Sequence, residues 1–191
     1  MSLFMNEQVD LNVITEETTM VEITTRYPGA RRALFSRYHI GGCSSCAYQD
    51  GESLAEVCGR NEIGVKEVIE HIVNSHLEDK KMLIEPLDAK KLIDEGAEVR
   101  FVDTRTREEH EAVAIPDSYF MTQDLQQEVF GKWDRSEKLT IVIYDHTGKS
   151  AIDTCAWFRG HEMKNTFALI GGIDSWSEQV DSSISRYRLE M

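Results

Sequence analysis

No apolar run in this chain approaches the ~18–20 residues that a membrane-spanning helix needs. Met1–Asn12 has neither a basic start nor an apolar core, so no secretory signal is expected and the cytoplasm is the predicted compartment. Cations are scarce as well: 21 Lys and Arg stand against 34 Asp and Glu, a net charge of -13. The deficit is shared, with 6 cations against 12 anions over residues 1–78 and 15 against 22 over the remainder. Acidity in both halves argues against nucleic acid and anionic membranes as partners. Cysteine is limited to four residues, which in a cytosolic chain point to redox, metal or core roles more readily than to a disulfide framework. Internal repeats and low-complexity segments are absent. What remains is 41% hydrophobic and 29% charged, the composition of a globular protein.

A length of 191 residues suits two small domains. The charged stretch His76–Lys81 is the natural divide, giving domains at residues 13–78 and 82–188. The first part patterns as helix throughout. Thr18 and Thr19 can cap a helix carrying Met20 and Ile23, and Pro28 fits the first turn of a second helix that runs through Ala33, Leu34 and Tyr38. Ser53-Leu54-Ala55-Glu56 has the form of a capping box opening a third. Val65, Val68, Ile69, Ile72 and Val73 repeat at the spacing of a fourth, with one apolar face.

Beyond the divide the pattern alternates. Short apolar runs at 82–84, 99–103, 119–121, 141–144 and 167–170 predict five strands. Helices are predicted between and after them at 88–95, 107–113, 125–130, 149–160 and 174–180. Strands separated by helices imply a mainly parallel five-stranded sheet covered on both faces, so the fold class is a small all-α domain followed by an α/β domain.

The chemistry of the second half centres on Asp145-His146-Thr147-Gly148-Lys149-Ser150, between the strongest strand and the next helix. A short glycine-containing loop entering a helix N-terminus makes a cradle of backbone N–H groups suited to an anion. Gly148-Lys149-Ser150 mimics the end of a nucleotide-binding loop, but the opening glycine of that motif would fall at Ile143, inside the strand. His146 could pair with Asp145 as a general base, with Thr147 and Ser150 as the nearby hydroxyls. Cys155 falls about ten residues on, inside the helix, and packs most simply as a buried apolar residue.

Three markers in order, Asp103-x-Arg105, this strand–loop–helix and Gly171-Gly172-Ile173-x-x-Trp176, make residues 84–187 resemble a rhodanese domain. In that family the loop opens with the cysteine that carries persulfide sulfur, followed by Gly three residues on and Arg five on. The resemblance places Asp145, Gly148 and Ser150 at those positions. Related cysteine-dependent phosphatases carry Arg six residues on, which is Ala151. The turn Gly-His-Ile-Pro-Gly-Ala common in rhodaneses reads Val113-Ala114-Ile115-Pro116-Asp117-Ser118. The resemblance therefore implies the scaffold without the nucleophile. A carboxylate forms no stable persulfide, and its charge opposes thiosulfate or phosphate in the cradle. Asp145 is expected to cap the following helix instead.

The first half carries Tyr27-Pro28, Leu34-Phe35-x-x-Tyr38, Gly41-Gly42-Cys43-x-x-Cys46 and Ser53-Leu54-x-Glu56. It resembles a small helical presumed redox-disulphide domain related to the N-terminal domain of iron–sulfur repair proteins. Cys43 and Cys46 can close a disulfide, stay reduced as structure, or join His39 and Cys58 around a metal, although that spacing fits no standard zinc finger. Redox use is the leading reading, with no cofactor or resident metal.

Together these readings predict a redox or sulfur-relay protein acting through the Cys43/Cys46 dithiol. The second domain would be a binding module for a protein partner or a small sulfur-containing or anionic ligand. Two alternatives stay open: a divergent sulfurtransferase using a thiol from the first domain, and a pure interaction module.

Overall fold

A computed structural model describes residues 14–41, 48–136 and 138–187. The chain divides into two units, Met1–Lys80 and Lys81–Met191. Among the described residues no helix is long and apolar enough to cross a membrane.

The first unit holds helices α1 (Met20–Arg26), α2 (Ala30–Tyr38), α3 (Leu54–Arg60) and α4 (Val65–Lys80). Thr19 and Ser53 each close a full capping box, with Glu22 and Glu56 answering from the third helical position. The two caps are themselves joined, because Thr19 and Ser53 form an antiparallel bridge that ties the starts of α1 and α3 together. Met20, Ile23, Leu34, Leu54, Val57 and Ile72 meet in one core. Pro28 does not enter α2; Gly29 is the N-cap and Pro28 precedes it. The stretch His76–Lys81 is not a loose link either, since α4 continues to Lys80. Asp79 there is buried and takes an ion pair from Arg32 of α2.

The second unit is a five-stranded sheet of β1 (Leu83–Ile84), β2 (Glu98–Asp103), β3 (Tyr119–Phe120), β4 (Leu139–Tyr144) and β5 (Thr166–Leu169). Its order is β1-β5-β4-β2-β3, and every pairing is parallel rather than merely most of them. Helices α5 (Pro86–Asp94), α6 (Arg107–Ala112), α7 (Gln123–Lys132), α8 (Ala151–Gly160) and α9 (Gly172–Gln179) connect or follow the strands. All six residues of β4 are buried, as a central parallel strand requires. Its side chains alternate between two cores. Ile141 and Ile143 join Phe158, Cys155 and Val129 on one face, while Val142 and Tyr144 join Phe101, Ile173 and Trp176 on the other.

The strand order places a topological switch between β2 and β4, because the chain leaves β2 for β3 on one side and returns to β4 on the other. In open α/β sheets, ligands lodge outside the carboxyl ends of strands at such a point. There the loops 104–106 and 145–150 face each other, and Thr104 donates both its N–H and its hydroxyl to the carbonyl of Tyr144, each at 3.0 Å.

Phe158 is fully buried against Phe130 and Trp157. Phe158→Ala is expected to destabilise this unit by about 3–5 kcal/mol in urea unfolding, through lost burial and the cavity left behind.

Candidate functional site

The loop after β4 is built around the carboxylate of Asp145. One oxygen accepts the N–H of Gly148; the other accepts those of Ser150, at 2.5 Å, and Ala151, at 2.9 Å. The cradle of N–H groups is present, and a side chain of the same loop fills it. α8 begins at Ala151, with Ser150 as its N-cap, and not at Lys149; Asp145 takes N–H groups at its start that no helical carbonyl could satisfy. Cys155 is accordingly the fifth residue of α8. It is fully buried, and its thiol donates to the carbonyl of Thr166 at 3.2 Å.

The Gly171-Gly172 pair holds this loop from below. Both glycines have positive φ, 69° and 59°. A Cβ on Gly172 would strike the backbone of Asp145 and His146, and one on Gly148 would lie 2.6 Å from the nitrogen of Gly171. The close approach lets the start of α9 donate to the loop: Ile173 N–H to the carbonyl of Asp145 at 2.9 Å, and Asp174 N–H to that of His146 at 3.2 Å.

His146 does not pair with Asp145. Its ring lies parallel to that of Tyr187, with centroids 4.3 Å apart, and its Nε2 donates to the Tyr187 carbonyl at 3.0 Å. A carbonyl only accepts, so Nε2 carries a proton and is not a free base. It is half-buried, not turned to solvent. Thr147, Lys149 and Ser150 are exposed.

Behind the loop lies a network that motif spacing only partly suggested. Asp103 ends β2, fully buried, and Arg105 follows it. The guanidinium grips the carboxylate with Nε at 3.0 Å and Nη2 at 2.6 Å, and the backbone N–H of Arg105 adds a third bond at 3.0 Å. His110 of α6 donates from Nδ1 to the same carboxylate at 2.8 Å. Arg105 also donates to the carbonyl of Val113 at 2.6 Å and to the hydroxyl of Tyr187 at 2.7 Å. Tyr187 donates its own O–H to Glu109 at 2.6 Å. Glu109 is at the same time the third residue of the capping box opened by Thr106.

Burial alone would raise the Asp103 carboxyl, but the bonds from Arg105 and His110 outweigh it and hold it below the ordinary carboxylate range. The Arg105 guanidinium is disfavoured by burial and restored, well above its ordinary value, by Asp103. Burial and the bond to Glu109 push the Tyr187 phenol up to about 12, so it remains a neutral donor.

Asp103-x-Arg105 was visible as a family marker; its partners were not. Tyr187 lies 82 residues from Arg105, and no spacing rule joins them. Cys43 and Cys46, the predicted redox pair, lie outside the described residues. Of the other proposed metal ligands, His39 ends α2 in a left-handed conformation, and Cys58 is fully buried in α3, its thiol pushed up by burial. Among the described residues no three His, Cys, Asp or Glu side chains form a metal-holding group.

Residues 85–179 match the family model described as "Rhodanese-like domain". The second unit is thus a rhodanese-like domain. No curated protein matches the chain. Among solved structures, it is similar to a protein of unknown function, possible tyrosine phosphatase, from Rhodopseudomonas palustris: 21% identity over 58% of this chain and 89% of that one, TM-score 0.44. A rhodanese-related protein from Thermoplasma volcanium is 20% identical over 51% and 92%, with TM-score 0.40. A rhodanese-like domain protein from Staphylococcus aureus is 19% identical over 55% and 97%, with TM-score 0.41. Likenesses this distant say nothing of activity.

Asp103→Asn leaves Arg105 buried without its counter-charge, and a loss of about 3–5 kcal/mol is expected in denaturant titration at neutral pH. The pH dependence has a defined sign. Because the folded carboxyl sits below its unfolded value, its contribution is complete above about pH 4 and is lost as pH falls through the folded value. Between about pH 4 and that lower value the wild-type curve should drop more steeply than that of the variant.

Proposed function

We propose that the rhodanese-like unit is a binding module without sulfurtransferase activity, and that the chain works through the Cys43/Cys46 dithiol as a redox or sulfur-relay protein. The observation that carries the first part is the Asp145 carboxylate seated on the N–H groups of Gly148, Ser150 and Ala151. In a sulfurtransferase of this fold, those donors would face a thiolate and its sulfane sulfur. Asp145 stands at the position where the resemblance to rhodaneses puts that cysteine, and a carboxylate cannot carry the sulfur. It also commits the donors and adds a negative charge where thiosulfate would have to enter.

Neighbouring groups do not compensate. Positions 150 and 151 hold Ser and Ala where an arginine fork would serve an anion. The nearest buried cation, Arg105, is committed to Asp103, Val113 and Tyr187. Cys155 is fixed in α8 with its sulfur turned to the Thr166 carbonyl.

In the proposed redox role, Cys43 and Cys46 lose two protons and two electrons to a partner's disulfide. Their own disulfide closes as the partner's opens to two thiols. The rhodanese-like unit then docks a protein partner or a small sulfur-containing or anionic ligand.

The purified protein is expected to form no thiocyanate from thiosulfate and cyanide above the uncatalysed rate. Turnover typical of an active rhodanese would overturn the binding-module reading. Asp145→Cys, in contrast, should acquire a persulfide on residue 145 after thiosulfate treatment, detected by mass spectrometry, because the backbone cradle is retained.

For the dithiol, alkylation followed across pH should show at least one of Cys43 and Cys46 reacting below the ordinary thiol range of about 8.5. A mild oxidant should link the two. Buried Cys58 and Cys155 serve as internal controls. Rates no faster than theirs, with no disulfide formed, would reduce the pair to a structural role.

A further inference from the structure

The segment after α9 returns across the mouth of the site. Ile184 anchors it: the residue is buried, and its carbonyl accepts the Ser177 hydroxyl at 2.6 Å. Ser185, Arg186 and Tyr187 then run on outside any helix or strand. Tyr187 forms a wall shared by two hollows. One, of about 430 Å³, is lined by His146, Thr147, Asp174 and Arg186. The other, of about 450 Å³ and largely apolar, lies between α6 and Ser185, with Ala112 and Val113 in its lining and Glu108 and Glu109 beside them.

Arg186 and Tyr187 are held the way a bound dipeptide is held. Arg186 forks onto Asp174, Nε to Oδ1 at 2.6 Å and Nη2 to Oδ2 at 2.7 Å, and reaches Glu178 at 3.4 Å. The pairing is planar and bidentate, the geometry that selects arginine over lysine. Tyr187 stacks on His146, receives the His146 N–H on its backbone carbonyl, and sets its hydroxyl between Arg105 and Glu109. That hydroxyl accepts from one residue and donates to the other, so a phenylalanine in its place would leave a buried arginine N–H and a carboxylate without it. The receiving groups belong to α6, α9 and the two loops at the switch point, all fixed by the fold. The segment that meets them is exposed at Arg186.

We infer that this groove is an interaction surface for a segment of another protein carrying an arginine followed by a tyrosine, and that Arg186-Tyr187 occupies it in cis as a stand-in. The inference rests on the binding-module reading and supplies its partner. The local charge fits, since the groove offers Asp174, Glu178, Glu108 and Glu109 to a basic segment. A tethered occupant is present at an effective concentration of about millimolar, so a partner's segment competes only when the tether is displaced or the partner supplies further contacts.

The test uses the full chain and a fluorescein-labelled peptide of residues 180–191, read by anisotropy. Arg186→Ala/Tyr187→Ala should bind this peptide at least about tenfold more tightly than the wild type, whose own segment competes. A peptide with alanine at both positions should bind neither. Adding Asp174→Ala to the double variant should remove most of the gain. Equal binding to wild type and double variant, or equal binding of the alanine peptide, would overturn the inference. If the double variant lacks the wild-type circular dichroism, Arg186→Ala alone, altered at an exposed position, takes its place; no gain in peptide affinity would then count against the groove. A wild-type chain that sediments as a dimer, with the double variant a monomer, would assign the groove to a second copy and overturn the partner reading. Thiocyanate formation by the same variant would refute the binding-module reading while leaving the peptide result intact.

Discussion

The buried guanidinium of Arg105 holds the second unit's functional end together. It neutralises Asp103 at the end of β2, donates to the Val113 carbonyl just after α6, and donates to the Tyr187 hydroxyl. A charge in this position cannot be left half-satisfied, because the cost of an unpaired buried ion exceeds what the pair itself contributes. Three separate pieces of chain are therefore obliged to converge on one planar group. The loop that follows β4 is framed by that convergence. Tyr144, which ends β4, shares its hydroxyl with Ser118 at 2.8 Å and lies under the guanidinium, 5.5 Å from ring centre to carbon.

Against this cationic centre the loop presents its own anion. Asp145 turns a cradle that could hold a ligand into a closed internal cap at the start of α8. The two features are complementary. Arg105 is engaged by Asp103, Val113 and Tyr187, and the N–H groups of the loop by Asp145. Beside the loop, the hollow lined by His146, Thr147, Asp174, Arg186 and Tyr187 stays open to solvent.

The sheet was legible because its signals are local. An apolar run such as Thr140–Tyr144, between the polar stretch 134–138 and the glycine-containing loop 145–150, reads as a central strand, and five such runs separated by helical patterns leave few topologies. The capping boxes at Ser53 and, less completely, Thr19 were readable for the same reason. The site was legible only where it is contiguous. The loop 145–150 announced itself, and so did the opposition between Asp145 and an anion. The contact of His146 with Tyr187 has no sequence signal, because Tyr187 comes from a segment with no periodicity. His110 and Glu109 carry no motif of their own, and only Asp103 at the end of β2 and Tyr187 make them part of a network. Pro28 and Lys149 show the other limit: residue type and periodicity locate a helix but leave its first residue uncertain by one or two positions.

The two outer strands of the sheet have a consequence of another kind. β1 and β3 contribute two residues each, Leu83–Ile84 and Tyr119–Phe120, while the strand at the centre is six residues of unbroken apolar sequence. Backbone groups at a long open edge recruit strands from other molecules, and a segment like Leu139–Tyr144 stacks readily once free. Edges this short offer an incoming strand almost no register to grip. The folded unit thus conceals its most adhesive segment three strands deep behind margins too brief to template growth. Its colloidal behaviour is governed by how often the sheet opens, and a mild loss of stability will be felt first as precipitation.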